Sequence, residues 1–188
     1  MHRKLLLVLL FLLATSNTFC QYKKFSLEAN YPYATDKNII DDRIRNGVID
    51  IGLKYRFLDV QHIALGASIN SGFYRDNIDS NTIEVNYTLL QPRLFGELSI
   101  PALESLRPSL GLGYSILFTN TKLGTRLDDE LSPNPSGENN ETNGGINIAG
   151  GVAIEIISNL YIHIQYDWIS RGSGSSIKIV KAGVGVNF

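Results

Sequence analysis

Val180-Lys181-Ala182-Gly183-Val184-Gly185-Val186-Asn187-Phe188 closes the chain. Counted back from Phe188, every second residue is apolar. Between them sit Asn187, Gly185, Gly183 and Lys181. A period of two marks a β-strand with two unlike faces. Here one face is apolar and the other is small or polar, and the strand ends on an aromatic ring. A closed barrel in a membrane needs strands of this kind.

The same pattern recurs upstream. Phe25, Leu27, Ala29 and Tyr31 alternate with Ser26, Glu28 and Asn30. Ile49, Ile51, Leu53, Tyr55 and Phe57 oppose Asp50, Gly52, Lys54 and Arg56. Ile63, Leu65, Ala67, Ile69 and Phe73 oppose Ala64, Gly66, Ser68, Asn70 and Gly72. A fourth segment begins with Ile83, Val85, Tyr87 and Leu89 as its apolar set, then changes phase near Pro92. Beyond it Leu94, Leu98 and Ile100 are apolar, against Arg93, Phe95, Glu97 and Ser99. A bulge flips the faces of a strand, and Pro is tolerated at bulges. One long bulged strand is the expectation; two strands joined at Leu90–Arg93 is the alternative.

Leu110, Leu112, Tyr114, Ile116 and Phe118 form a fifth apolar set. Ile146, Ile148, Val152, Ile154 and Ile156 form a sixth, and Leu160, Ile162, Ile164, Tyr166 and Trp168 a seventh. The last strand also shifts phase, between Ile179 and Val180, which predicts a second bulge. Eight strands result. Their connections alternate: polar stretches at 34–46, 75–81, 119–144 and 171–175, against short turns near Asp59–Gln61, Pro101–Ser105 and Ser158–Asn159. Outer-membrane barrels have short periplasmic turns and long external loops. An even strand count puts both termini on the short-turn side.

Alternation alone also suits a soluble barrel or β-sandwich. The second face decides between them. It is dominated by Gly, Ala, Ser and Asn, which suit the cramped interior of an eight-stranded barrel. The apolar face carries aromatics towards the strand ends. Phe25, Tyr55, Phe57 and Phe188 are expected in the periplasmic girdle, and Tyr31, Phe73, Tyr87, Phe118, Tyr166 and Trp168 in the outer one. The expected fold is all-β, an eight-stranded antiparallel up-and-down transmembrane β-barrel.

The N-terminus reads as an export signal. Met1-His2-Arg3-Lys4 is a basic head, Leu5–Leu13 is an unbroken apolar run, and Thr15-Ser16-Asn17-Thr18 turns polar. The run is about half the length of a spanning helix. Residues 1–20 are therefore expected to be a signal peptide and 21–188 the barrel domain. A lipoprotein anchor at Cys20 is the alternative, although Asn17-Thr18-Phe19 is a poor lead-in. The 188-residue chain has 1 Cys, which excludes an internal disulfide. With 17 basic against 18 acidic residues, a nucleic-acid partner has no electrostatic support.

The signal, the eight amphipathic strands and the closing Val-Gly-Val-Asn-Phe resemble the small outer-membrane β-barrel proteins of the porin-like superfamily. They are OmpA/OmpX-type in size and similar in style to the barrel family frequent in Bacteroidota. The resemblance implies a bacterial outer-membrane location, with outer-membrane lipids and lipopolysaccharide as partners. It also implies that the terminal strand, with Val184, Val186 and Phe188, is the signal read by the outer-membrane assembly machinery.

The charged residues of the small-or-polar face are Glu28, Asp50, Lys54, Arg56, Glu84, Arg93, Glu97, Glu155, His163, Asp167 and Lys181. Buried charges cost several kcal/mol each unless paired. Glu28 lies on the strand next to Lys54, and Lys181 on the strand that should close against the first. An interior polar network plugging the barrel is expected; a narrow conduit for ions or small solutes is the alternative. His62 is expected at the start of the third strand as an interior or rim hydrogen-bonder. No His pair has metal-ligand spacing, and no cofactor is expected. His163 and Asp167 are roughly 13 Å apart along one strand, too far for a catalytic pair. Ser170, expected near the outer rim, suggests a barrel esterase acting on lipid A as an alternative; the lipid A deacylases that resemble this architecture carry a His and a Ser close together in sequence, a pairing His163-Ile164-Gln165 lacks. Asp128, Asp129 and Glu130 in the long loop suit a divalent cation or, more simply, a solvated loop. The expected role is structural or interactive, by a monomer presenting its loops, and not enzymatic.

Overall fold

The computed structural model describes residues 23–35, 47–78, 83–103, 105–123, 138–171 and 176–188. Within these, the side chains at 76–78, 83–84, 122–123 and 138–139 lie outside the description. The expected signal peptide, the cluster Asp128, Asp129 and Glu130 and the side chain of Glu84 therefore fall outside it.

Eight antiparallel strands close into a barrel in chain order. They are β1 (Phe25–Ala34), β2 (Gly47–Val60), β3 (Ile63–Ile78), β4 (Ile83–Leu98), β5 (Leu106–Leu123), β6 (Glu138–Ile157), β7 (Leu160–Arg171) and β8 (Ser176–Asn187). Closure leaves no sheet edge through the barrel wall, so every backbone ladder group can pair without water, as a membrane requires. The seam is β1 against β8, from Ser26↔Asn187 to Ala34↔Ile179. Phe25 and Phe188 exchange backbone hydrogen bonds of 3.1 and 2.9 Å, and their rings stack at 6.1 Å between centroids.

Burial runs opposite to that of a soluble protein. Leu112, Ile154 and Ile164 are exposed on the outside, while Glu28, Asp50, Asp167 and Lys181 are buried within. An outward apolar belt with charges inside is stable only in lipid. On β7 the belt runs from Leu160 to Trp168, eight steps of ~3.4 Å. Tilted by ~40°, that spans ~21 Å, close to the apolar band of membrane barrels.

The two expected bulges are absent. β3–β4 and β4–β5 pair across Pro92 in one continuous register, and so do β7–β8 and β8–β1 across Ile179–Val180. The register shifts that do occur lie at Gly47/Ile49 and Arg56/Leu58 on β2 and at Glu155/Ile157 on β6. What changes along β4 and β8 is the polarity of each face, not its direction. Val85, Tyr87 and Leu89 face the lumen in line with Gln91 and Arg93, and Ile177 and Ile179 face it in line with Lys181. Tyr87 thus leaves the outer girdle expected of it and is buried at 4% exposure. Outside, Leu90 on β4 gives way to Thr88 and Asn86, and Val180 on β8 to Lys178. Here the barrel has passed out of the apolar medium. Its wall becomes polar outside and apolar inside, as in a soluble protein.

The expected loops are shorter than their polar composition suggests. β3 continues to Ile78, β5 to Leu123, and β6 begins at Glu138. Pairs such as Ile83↔Leu123 and Thr119↔Glu141 carry β3–β6 beyond the belt as a four-stranded extension of the wall. At the opposite end the connections are tight. Gln61 and His62 make the β2–β3 turn, Gln61 with a φ of 52°, a left-handed conformation uncommon for a residue with a Cβ. His62 is exposed in this turn rather than opening β3, and its carbonyl accepts a 2.7 Å bond from the Ser99 amide.

Candidate functional site

The lumen is where the chain concentrates chemistry. Strand alternation aims every second side chain inward, and barrel closure brings strands that are not sheet neighbours face to face. Two balanced charge clusters result.

The first lies midway along the lumen. Lys181 Nζ is 2.7 Å from Asp50 and 3.1 Å from Asp167, and it donates a 2.6 Å hydrogen bond to Gln91 Oε1. Arg93 grips Asp167 with both terminal nitrogens, at 3.1 and 3.2 Å, and donates to Gln91 at 2.9 Å. Gln165 donates to Asp167 at 2.6 Å. Asn30 and Asn70 donate to Asp50 at 2.9 and 3.1 Å. Two carboxylates thus face two cations. Lys181, Asp50 and Asp167 are fully buried, so each depends wholly on the others.

The second cluster lies towards the chain termini. Lys54 pairs with Glu28 at 2.7 Å and lies 3.7 Å from Glu97, with its ammonium 5.6 Å from the Phe95 ring centroid. Arg56 Nε donates to Glu97 at 2.6 Å, and its Nη1 donates to Ser26, which donates in turn to Asn187 at 2.7 Å. Tyr161 OH donates to Glu28 at 2.7 Å. His163 lies 3.2 Å from Glu28 through Nδ1 and hydrogen-bonds Asn30 through Nε2. Asn30 therefore links the two clusters. At the rim, Glu155 is held by Arg107 at 2.6 Å and by Lys23.

Of the residues expected on the inner face, ten are placed in the lumen or at its rim in these pairs; the side chain of Glu84 lies outside the description. His163 and Asp167 join different clusters, so they form no dyad. Ser170 alternates to the outside of β7, away from the face that carries His163. Sequence reasoning missed Lys23 and Arg107 as partners of Glu155, and Gln91 as the group linking Lys181, Arg93 and, through a 3.3 Å bond from its amide, Ser115. Parity offered a signal for two of them. Arg107 is in phase with Gly111 and Gly113, and Gln91 with Arg93. Val184, Val186 and Phe188 face outward, partly exposed, on β8.

Two small voids border these side chains. One void of about 10 Å³ lies among Arg56, Glu97, Glu155 and Tyr161. Another of about 10 Å³ lies among Lys54, Arg93, Phe95 and Gln165. Each has room for about one water molecule. A larger recess of about 230 Å³ opens at the rim beside Lys23, Lys24 and Phe57. Among the described residues no group of three or more His, Cys, Asp or Glu could hold a metal ion.

No protein-family model matches the chain, and no curated protein matches it. Solved structures do. Ail, the attachment invasion locus protein of Yersinia pestis, in complex with the heparin analogue sucrose octasulfate, superposes with a TM-score of 0.61 at 12% identity, over 88% of this chain and 97% of that one. The N-terminal β-barrel domain of Pseudomonas aeruginosa OprF gives 0.60 at 15% identity, over 88% and 98%. Neisserial surface protein A gives 0.57 at 14% identity, over 87% and 97%. At such identities the likeness is one of fold: the chain has the fold of the small outer-membrane β-barrels.

Proposed function

We propose that this protein is a bacterial outer-membrane β-barrel with a structural or surface-interaction role, its lumen plugged by its own side chains. Residues 1–20 export it, the assembly machinery reads Val184, Val186 and Phe188, and outer-membrane lipids and lipopolysaccharide surround the belt. The observation that carries the plugged-barrel reading is the filled lumen. Two cross-braced charge clusters and the apolar side chains beyond them occupy it, and the two voids that border the clusters each have room for about one water molecule. The β3–β6 extension beyond the belt supports the surface role, because it lifts residues around Asn140–Gly144 clear of the lipid. A catalytic role finds no support in the separation of Ser170 from His163 across the wall.

Planar-bilayer recording of protein extracted from membranes tests the plug. The expected result is a silent bilayer; steady open conductance would replace this reading with that of a narrow channel.

A further inference from the structure

Two layers fill the lumen, and they differ in what they can do to water. The charge clusters are made of hydrogen-bonding groups and border voids of about one water each. Towards the long-loop end the filling changes character. Tyr74, Val85, Tyr87, Leu89, Leu117, Ile169, Ile177 and Ile179 pack as one cluster, each at most 7% exposed. These come from β3, β4, β5, β7 and β8. The other three strands bring apolar or side-chain-free positions to the same end: Pro32 and Ala34 on β1, Gly47 on β2 and Gly145 on β6, all buried. Every strand therefore contributes; Arg171, which follows Ile169 in the same phase on β7 and pairs with Gly145, sets a half-buried cation beside Tyr87 at the outer margin of the ring. The packing is close. A Cβ added at Gly47 would come within 3.0 Å of both the Pro32 carbonyl oxygen and the Tyr74 ring.

We infer that this apolar ring, and not the ion-pair clusters beneath it, is the seal that separates the lumen from the outer side. Charge clusters can share their hydrogen bonds with water and remain paired. An apolar constriction cannot, so a water column breaks there, which is how hydrophobic gates close. The seal also coincides with the level at which the outer wall turns from lipid-facing to polar, so it sits at the mouth and leaves the polar lumen hydratable only from the terminal side. The inference rests on the plugged-barrel reading and adds which layer does the plugging.

Three proteins in planar bilayers, each first checked for the heat-shifted gel band of a folded barrel, separate the two layers. The wild-type protein is silent. Leu89→Ser/Ile179→Ser, which wets the ring and leaves all ion pairs, gains resolvable conductance steps. Asp50→Asn/Lys181→Met, which removes one charge of each sign and leaves the ring, stays silent. Conductance in the charge variant with silence in the ring variant would overturn the inference, and so would silence in both. A conducting wild type would sink the plugged-barrel reading itself. If the double serine variant lacks the folded band, Leu89→Ala/Ile179→Ala carries the same comparison.

Discussion

Lys181 shows how this barrel uses a buried charge. It stands on the closing strand with no exposure and bridges Asp50 on β2, Asp167 on β7 and Gln91 on β4. Removing one partner from a buried ion pair strands the other charge, at a cost of about 3–5 kcal/mol. Lys181→Met should lower the unfolding free energy of the refolded barrel by that margin, measured by urea titration through the fluorescence of its 1 Trp, Trp168. Asp50→Asn/Lys181→Met should recover much of the loss, since Asp167 keeps Arg93 and no carboxylate is left alone. A double variant as unstable as the single one would mean that Asp50 is not the partner that matters. Gly185 shows the steric side of the same strand. A Cβ there would meet the Tyr161 ring within 2.6 Å, so the Tyr161–Glu28 bond needs a bare backbone opposite it.

At the scale of the element, β4 carries the change of medium along a single strand. Leu94 faces outward at 65% exposure within the belt, and Thr88 faces the same way beyond it. An Arg on the lipid face costs about 2–4 kcal/mol near the midplane and about 0–1 kcal/mol near the interface. Leu94→Arg should therefore destabilise the barrel in lipid vesicles by about 2–4 kcal/mol, and Thr88→Arg by less than about 1 kcal/mol. Equal penalties would remove the boundary from this part of β4. The same strand shows where local reading misleads. Val85, Tyr87 and Leu89 alternate as cleanly as any lipid-facing set, and periodicity cannot say which medium lies on which side. The inversion was legible only as a phase shift, and a bulge explains a phase shift equally well. That β4 and β8 both shift, each near the end that follows a long loop, was the available hint of a single cause.

For the whole molecule, closure depends on β1 and β8 meeting across the full length of the chain. Phe188 stacks on Phe25 and faces the lipid at the barrel's terminal rim. If the closing strand is also the assembly signal, Phe188→Ser should reduce the heat-modifiable fraction recovered from outer membranes and leave unfolded protein in the periplasm. Undiminished recovery would detach assembly from this residue. Among the described residues, β3–β6 reach further beyond the belt than β1, β2, β7 and β8.

The sequence by itself determined the strand count, the facing of most residues within the belt and the inward placement of the charges. All of these follow from a period of two, which is a property of neighbouring residues. It could not pair the charges. Lys181 meets Asp50 across 131 positions, and Arg93 meets Asp167 across 74, on strands that are not adjacent in the sheet. Those encounters depend on register and on the curvature that closes the wall, and no short stretch of sequence encodes either. Nor could it place the apolar ring, whose members alternate like membrane-facing residues. Only the closed barrel, with lumen and lipid on opposite sides of each strand, decides which apolar side chains meet lipid and which meet one another.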